Sequence, residues 1–162
     1  MAISDVDRAH LRRALDLAHT ALELGDEPFG SVLVSQDGEV LFEDHNRVSG
    51  GDQTQHPEFA ISRWAAANLS SDERAAATVY TSGEHCPMCA ASHGWVGLGR
   101  IVFISSGAQL AAWLDAWGVP RSPIAPLAIT DVVRDTNVEG PVSEFETEHR
   151  DLYRRAFAGG SA

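Results

Sequence analysis

The chain has 162 residues, 44% hydrophobic and 22% charged, which at roughly 150 residues per domain gives one domain, 1–162, with a core of its own and excludes disordered, collagen-like and coiled-coil chains. Twelve Lys and Arg against twenty-three Asp and Glu leave a net charge of −11, a balance that repels a phosphate backbone and argues against a nucleic-acid partner. No run approaches the roughly 18 apolar residues of a membrane span, and Met1 to Asp5 lacks the basic-then-apolar order of a secretion signal, so no membrane contact and a cytoplasmic location are expected.

Ser4 caps a first helix that carries Asp5 and Asp7 in its opening turns and Leu11, Leu15, Ala18 and Leu22 at helical spacing, up to Gly25. Gly30–Ser35, a turn at Gln36–Glu39 and a return strand from Val40 towards Asn46 form a hairpin, followed by a polar loop over Ser49–Gln55. A second helix opens at His56-Pro57-Glu58 and ends across Asn68–Arg74. Thr78–Ser82 reads as a strand, Pro87 to about Val96 as a helix, Ile101–Ile104 as a strand, Leu110 to Trp117 as a helix and Ile124–Ile129 as a fifth strand. Glu144–Phe157 reads as an amphipathic C-terminal helix, and Gly159–Ala162 as a frayed tail. Alternating strands and helices imply parallel pairing in an α/β three-layer α/β/α sandwich around a five-stranded mixed sheet. Trp64, Trp95, Trp113 and Trp117 read as core aromatics, and His10, His19, His45 and His149 as solvated residues.

Two cysteines occur, three apart in Cys86-Pro87-Met88-Cys89, a spacing for a metal or a redox pair and too close for a loop-closing disulfide. His56 and Glu58 lie thirty residues upstream, and both clusters fall at helix starts, where free N–H groups favour thiolates. One imidazole and two thiolates suit a single Zn2+ with water or hydroxide as fourth ligand. Glu58, two residues from His56, is placed to move protons beside that water. Two alternatives remain open at this level: a redox pair, and a closed structural site in which His93 is the fourth ligand.

The combination His56-x-Glu58 with Cys86-x-x-Cys89 resembles the cytidine-deaminase superfamily. Pro28-Phe29-Gly30-Ser31-Val32-Leu33-Val34 is similar to the family's first strand, and Asn46-Arg47-Val48 to its substrate-binding asparagine, so the likeness runs roughly from Ala9 to Ile129. It implies that His56, Cys86 and Cys89 hold the metal, that Glu58 is the proton shuttle, that Asn46 orients the substrate ring, and that the protein is a homodimer. Phe29 is either pocket wall or core. Asp115 falls near an acidic residue that helps with substrate in the guanine-deaminase branch. His85 stands where the family usually has Pro, and so is expected to reshape the pocket wall, while Pro57 fits an early helical position.

A helix over Ser106–Pro120 makes the last two strands parallel, an arrangement that resembles the tRNA-adenosine, guanine and yeast-type cytosine deaminases. With the acidic surface, this leads to hydrolytic deamination of a free amino-heterocycle, guanine-like or cytosine- and aminotriazine-like, with release of ammonia. A cytidine or adenosine deaminase and a non-catalytic zinc-stabilised binding module are the alternatives. The C-terminal helix, ending near Phe157, is expected to close over a base-sized pocket.

Overall fold

The computed structural model describes residues 3–159. Ser4 and Asp7 start helix α1 (Asp5–Glu23) with a reciprocal cap: the Ser4 hydroxyl accepts the Asp7 N–H at 3.1 Å, and the Asp7 carboxylate accepts the Ser4 N–H at 2.8 Å. Asp7 is itself buried, and it also accepts from the Tyr80 hydroxyl at 2.8 Å and pairs with Arg100. Burial alone pushes its carboxyl up, but Arg100, Ser4 and Tyr80 together hold it well below the ordinary carboxylate range. The cap of α1 is thereby bonded to two strands of the sheet.

Strands β1 (Gly30–Val34), β2 (Val40–His45), β3 (Thr78–Gly83), β4 (Arg100–Ser105) and β5 (Val138–Glu139) form one sheet in the order β2-β1-β3-β4-β5. β1 pairs antiparallel with β2 and β3, and β3–β4 and β4–β5 are parallel, so the sheet is mixed. Its side chains alternate between two cores. Val32, Val34, Tyr80, Val102 and Ile104 meet Leu11, Leu15 and Ala18 of α1 and Leu152 of the C-terminal helix. Leu33 and Val79 meet Ile61 and Ala65 of α2 (Pro57–Asn68) on the other face, and Ile101 meets Ala90 of α4 (Pro87–Val96). The expected three layers are present. α1 approaches so closely that a Cβ on Gly30 would stand 2.3 Å from the Ala14 carbonyl oxygen, which only glycine permits.

Several expectations need correction. Ile124–Ile129 is not a strand: Pro123 and Pro126 remove the ladder donors a strand there would need, and the segment runs as a loop into a short helix, α6 (Ile129–Val132). The fifth strand is Val138–Glu139, paired with Ile101 and Val102. Asn68–Arg74 does not simply end α2, because Ser70 and Glu73 form a second capping box that opens α3 (Ser71–Ala76). Trp95 is 89% exposed, since among the described residues nothing covers its side of α4. Trp113 and Trp117, at the end of α5 (Gly107–Ala116), are half-buried beneath Arg150. His149 is fully buried in α7 (Glu146–Tyr153), which continues through one wider turn over Arg154–Ala158. Of the expected frayed tail only Gly159 lies within the described residues. No described helix is long and apolar enough to cross a membrane.

Candidate metal centre and active site

Both metal-ligand clusters sit at helix starts for the same local reason. His56 and Cys86 adopt extended backbone as the residues that open α2 and α4, and Pro57 and Pro87 follow at the first helical position, where the missing N–H costs nothing. Glu58 and Cys89 then fall in the first turns. Because β3 is the central strand, paired antiparallel with β1 and parallel with β4, the start of α4 lies at its C-terminal end in the middle of the sheet, and the start of α2 meets it there. The Cys86 and Cys89 sulfurs are 3.6 Å apart, and each is 3.6 Å from His56 Nδ1.

That triangle fits a tetrahedral zinc. Ligands at about 2.3 Å for sulfur and about 2.0 Å for nitrogen put neighbouring donors about 3.5–3.8 Å apart. The charges agree with it. Hydrogen bonds from the Cys89 thiol and from His56 hold the Cys86 thiol down to about 4, the same Cys86 contact raises the pKa of His56, and Cys89, buried beside this thiolate, is pushed up. One thiolate is thus favoured before any cation arrives. His93 is not part of the group: it turns away to bond the Gly99 carbonyl oxygen at 3.0 Å, so a closed Cys2His2 site is not formed.

Glu58 is buried beside the triangle. Its Oε1 accepts from the Thr81 hydroxyl at 3.0 Å and lies 3.1 Å from the Ser31 hydroxyl, while Oε2 faces Cys89 Sγ at 3.7 Å. Burial raises its pKa, with His56 opposing, which moves a carboxyl towards the range where it both takes and gives a proton at neutral pH. Ser31 and Thr81 escaped the sequence reading. The signal for them is a hydroxyl on an interior position of an otherwise apolar strand.

A cavity of about 160 Å3 opens over His56, Glu58 and Cys86, and Phe29, Leu110, Leu114 and Ile124 form much of its wall. Phe29 is therefore pocket wall, with its ring 5.4 Å from that of Tyr153. His85 also borders the cavity; it is 2% exposed, stands edge-on to His93 at 5.2 Å, and is kept neutral by burial, with no hydrogen-bond partner on either ring nitrogen among the described residues. Asn46 is fully buried: its Oδ1 accepts the Val48 N–H at 3.0 Å, and its Nδ2 has no partner among the described residues. Asp115 lies apart, 75% exposed and 4.0 Å from Arg121, on an outer groove that the metal ligands do not line. Tyr153, not singled out from sequence, is fully buried, with its ring 4.1 Å from His149.

The fold and the donor triangle define a zinc-site α/β/α protein of the deaminase type. The chain belongs to the family described as the cytidine and deoxycytidylate deaminase zinc-binding region, which it matches over residues 4–105, from the cap of α1 to the end of β4. It is 34% identical over 108 residues to a probable cytosine deaminase of Schizosaccharomyces pombe, a match that covers 67% of this chain and 65% of that protein. It is 33% identical over 110 residues to a tRNA-specific adenosine deaminase of Haemophilus influenzae, covering 67% and 64%. The chain thus spans just under two thirds of the length of these relatives. A guanine deaminase structure from Nitrosomonas europaea superposes with a TM-score of 0.70 at 19% identity, over 96% of this chain and 86% of that one. At that identity the likeness concerns the fold.

Proposed function

We propose that the protein hydrolyses the exocyclic C–N bond of a free amino-heterocycle, replacing the amine by oxygen and releasing ammonia. The observation that carries this reading is the cavity: about 160 Å3 above the donor triangle, against about 150 Å3 for an engineered cavity that holds one benzene ring. A base-sized ring fits that space, whereas a nucleoside needs its sugar to lie outside. The net charge of −11 favours an uncharged small substrate over a polynucleotide.

His56, Cys86 and Cys89 would hold one zinc ion, which when bound supplies Lewis acidity and lowers the pKa of a water to about 7. Glu58 does the proton work: Oε2, the oxygen not held by Thr81, accepts one proton of the attacking water and delivers it to the ring nitrogen, then carries the remaining proton of the added hydroxyl to the amine, so that the C–N bond breaks with release of ammonia and the ring keeps a carbonyl and an N–H. Thr81 and Ser31 fix the other oxygen, so that Oε2 stays aimed at the substrate. Asn46 does not line the cavity, but its buried Nδ2, without a partner among the described residues, is the donor assigned to a carbonyl or ring nitrogen of the substrate; Phe29 covers one ring face, and His85 shapes the wall. Asp115, on the outer groove, has no part in this scheme. The working unit is proposed to be a homodimer, and sedimentation of the zinc-loaded protein tests that.

The test is ammonia release by zinc-loaded protein with guanine, cytosine, adenine, aminotriazines, the matching nucleosides and a tRNA, with Glu58→Ala alongside. Turnover of a free base that falls by at least about 10²-fold in the variant, with zinc still bound, is the expected result. The relative named as a tRNA-specific adenosine deaminase supports a second reading. Nucleoside or tRNA turnover clearly above that of every free base would replace the first reading by the second, and silence with zinc and base bound would make the chain a binding module.

A further inference from the structure

We propose that Glu84 is the positioning residue of the substrate cavity: its carboxylate staples together the two ends of the segment that forms the cavity's outer wall. The proposal rests on the reading of the cavity as a substrate site. Glu84 stands at the end of β3, two residues before Cys86, and its backbone N–H extends the sheet by donating to the Ser105 carbonyl oxygen at 2.8 Å. Its side chain reaches outwards. Oε2 accepts the Gly107 N–H at 2.9 Å, and Oε1 accepts the Ile129 N–H at 2.9 Å.

Those two amides open and close one excursion of the chain. Gly107 is the first residue of α5 and Ile129 the first of α6, and residues 107–129 contribute Leu110, Leu114, Ile124 and Leu127 to the cavity wall. The excursion has little else to hold it. α5 buries no residue fully, residues 117–128 have no helix or strand, and no strand of the sheet comes from this segment. Among the described residues the remaining ties run to α7, through Gln109 to Glu146 at 2.9 Å and through Arg150 over Trp113 and Trp117, and, at the far end, to the core, where Ile129 is fully buried with Ala90 and Ile101. First-turn amides have no partner within their own helix, so a carboxylate that satisfies one from each of two helices fixes both ends with charge-assisted hydrogen bonds. Because Glu84 and Cys86 lie on one short stretch of backbone, the distance from wall to metal site is set at the same point.

Glu84→Gln tests this at nearly constant volume: the amide keeps one acceptor and turns an N–H towards the other backbone N–H. Amide hydrogen exchange is measured on the zinc-loaded protein together with KM, kcat and zinc content. Exchange across 107–129 should quicken by about tenfold or more while the sheet is unchanged. KM for the best free base should rise about tenfold or more, with kcat changed less than about threefold and one zinc retained. Glu84→Asp, a shorter carboxylate that reaches only one of the two amides, should fall between the variant and the parent, and it also serves if Glu84→Gln fails to fold. Unchanged exchange in 107–129 would overturn the proposal, as would loss of zinc or a fall in kcat at constant KM, either of which moves Glu84 into metal support or the chemistry. If the parent protein deaminates nothing, the deaminase reading fails by itself, and the exchange result alone decides whether Glu84 holds the wall.

Discussion

Ser31 and Thr81 face each other across β1 and β3 with their hydroxyl oxygens 2.8 Å apart, and Thr81 passes its own hydrogen bond to Glu58 Oε1 at 3.0 Å. The relay runs from one strand to the next and ends on the carboxylate proposed to move protons. Thr81→Val keeps the shape and removes the donor, leaving a buried acceptor short of a partner, which costs about 1–3 kcal/mol. We expect kcat to fall by about tenfold with zinc retained. Since the Thr81 bond lowers the Glu58 pKa, the acid limb of the pH–rate profile should move to higher pH. A profile identical to that of the parent would remove Thr81 from the machinery.

The roof of the cavity can be tested without touching a polar group. A Cβ on Gly83 would stand 2.8 Å from the Tyr153 hydroxyl and 3.0 Å from the Phe29 ring. Tyr153 has little slack, being fully buried with its ring tilted against His149 at 4.1 Å, whereas Phe29 is half-buried at the cavity. Gly83→Ala should therefore push Phe29 towards the substrate, raise KM about tenfold and cost about 1–3 kcal/mol of stability. Steady-state kinetics and thermal melts check both.

Metal removal should uncouple fold from activity. The sheet and both cores are independent of the donor triangle, so a strong chelator should abolish turnover and lower Tm while leaving a cooperative melt, and equimolar zinc should restore both. Cys86→Ser should bind zinc far more weakly in an equilibrium titration. Full activity after verified removal of the metal would exclude zinc from the reaction.

Stability should also fall on mild acidification, for an identifiable reason. His149 is enclosed by α7, β4 and the start of β1: its Nδ1 lies 3.0 Å from the Ser105 hydroxyl and its Nε2 3.4 Å from the Pro28 carbonyl oxygen. Burial lowers its pKa to about 3, against about 6.5 in the unfolded chain. Between those values the unfolded state binds a proton that the folded state does not, so stability is lost as pH drops through this window, by up to about 1.4 kcal/mol per pH unit. His85 and His93, also lowered by burial, act in the same direction. His149→Gln should therefore melt at a temperature that depends less on pH between 7 and 5 than the parent does. An equal dependence would assign the effect to the other histidines lowered by burial, His10, His85 and His93.

The chemical centre was the most legible part of the chain because its signal is local: a helix start needs few residues to announce itself, and His56-Pro57-Glu58 and Cys86-Pro87-x-Cys89 each carry their own proline. The errors fall where the deciding contact is distant in sequence. His149 has charged neighbours on both sides and reads as solvated, yet its environment comes from Pro28 and Ser105. Val138–Glu139 is too short to show a strand period, and only its pairing with Ile101 and Val102 defines it. Ile124–Ile129 offered a short apolar run, but Pro126 within it and Pro123 just before it already argued against a strand. Trp95 shows the limit of helical spacing, which says which residues share a face and not whether anything covers it.

The donor triangle and Glu58 are encoded between positions 56 and 89, whereas much of the outer cavity wall comes from positions 107–127, on a segment that buries no residue fully in its helix. The metal ligands and the outer wall are thus written in separate stretches of the gene, although Phe29 and His85 also border the cavity from outside the second stretch. Substitutions at Leu110, Leu114, Ile124 and Leu127 can accumulate with little penalty to folding, because surface exchanges usually fall within about 0.5 kcal/mol. An ancestral catalyst built this way can be handed from one amino-heterocycle to another by drift in the wall alone, and a library randomised at those four positions is the corresponding laboratory route to new substrates.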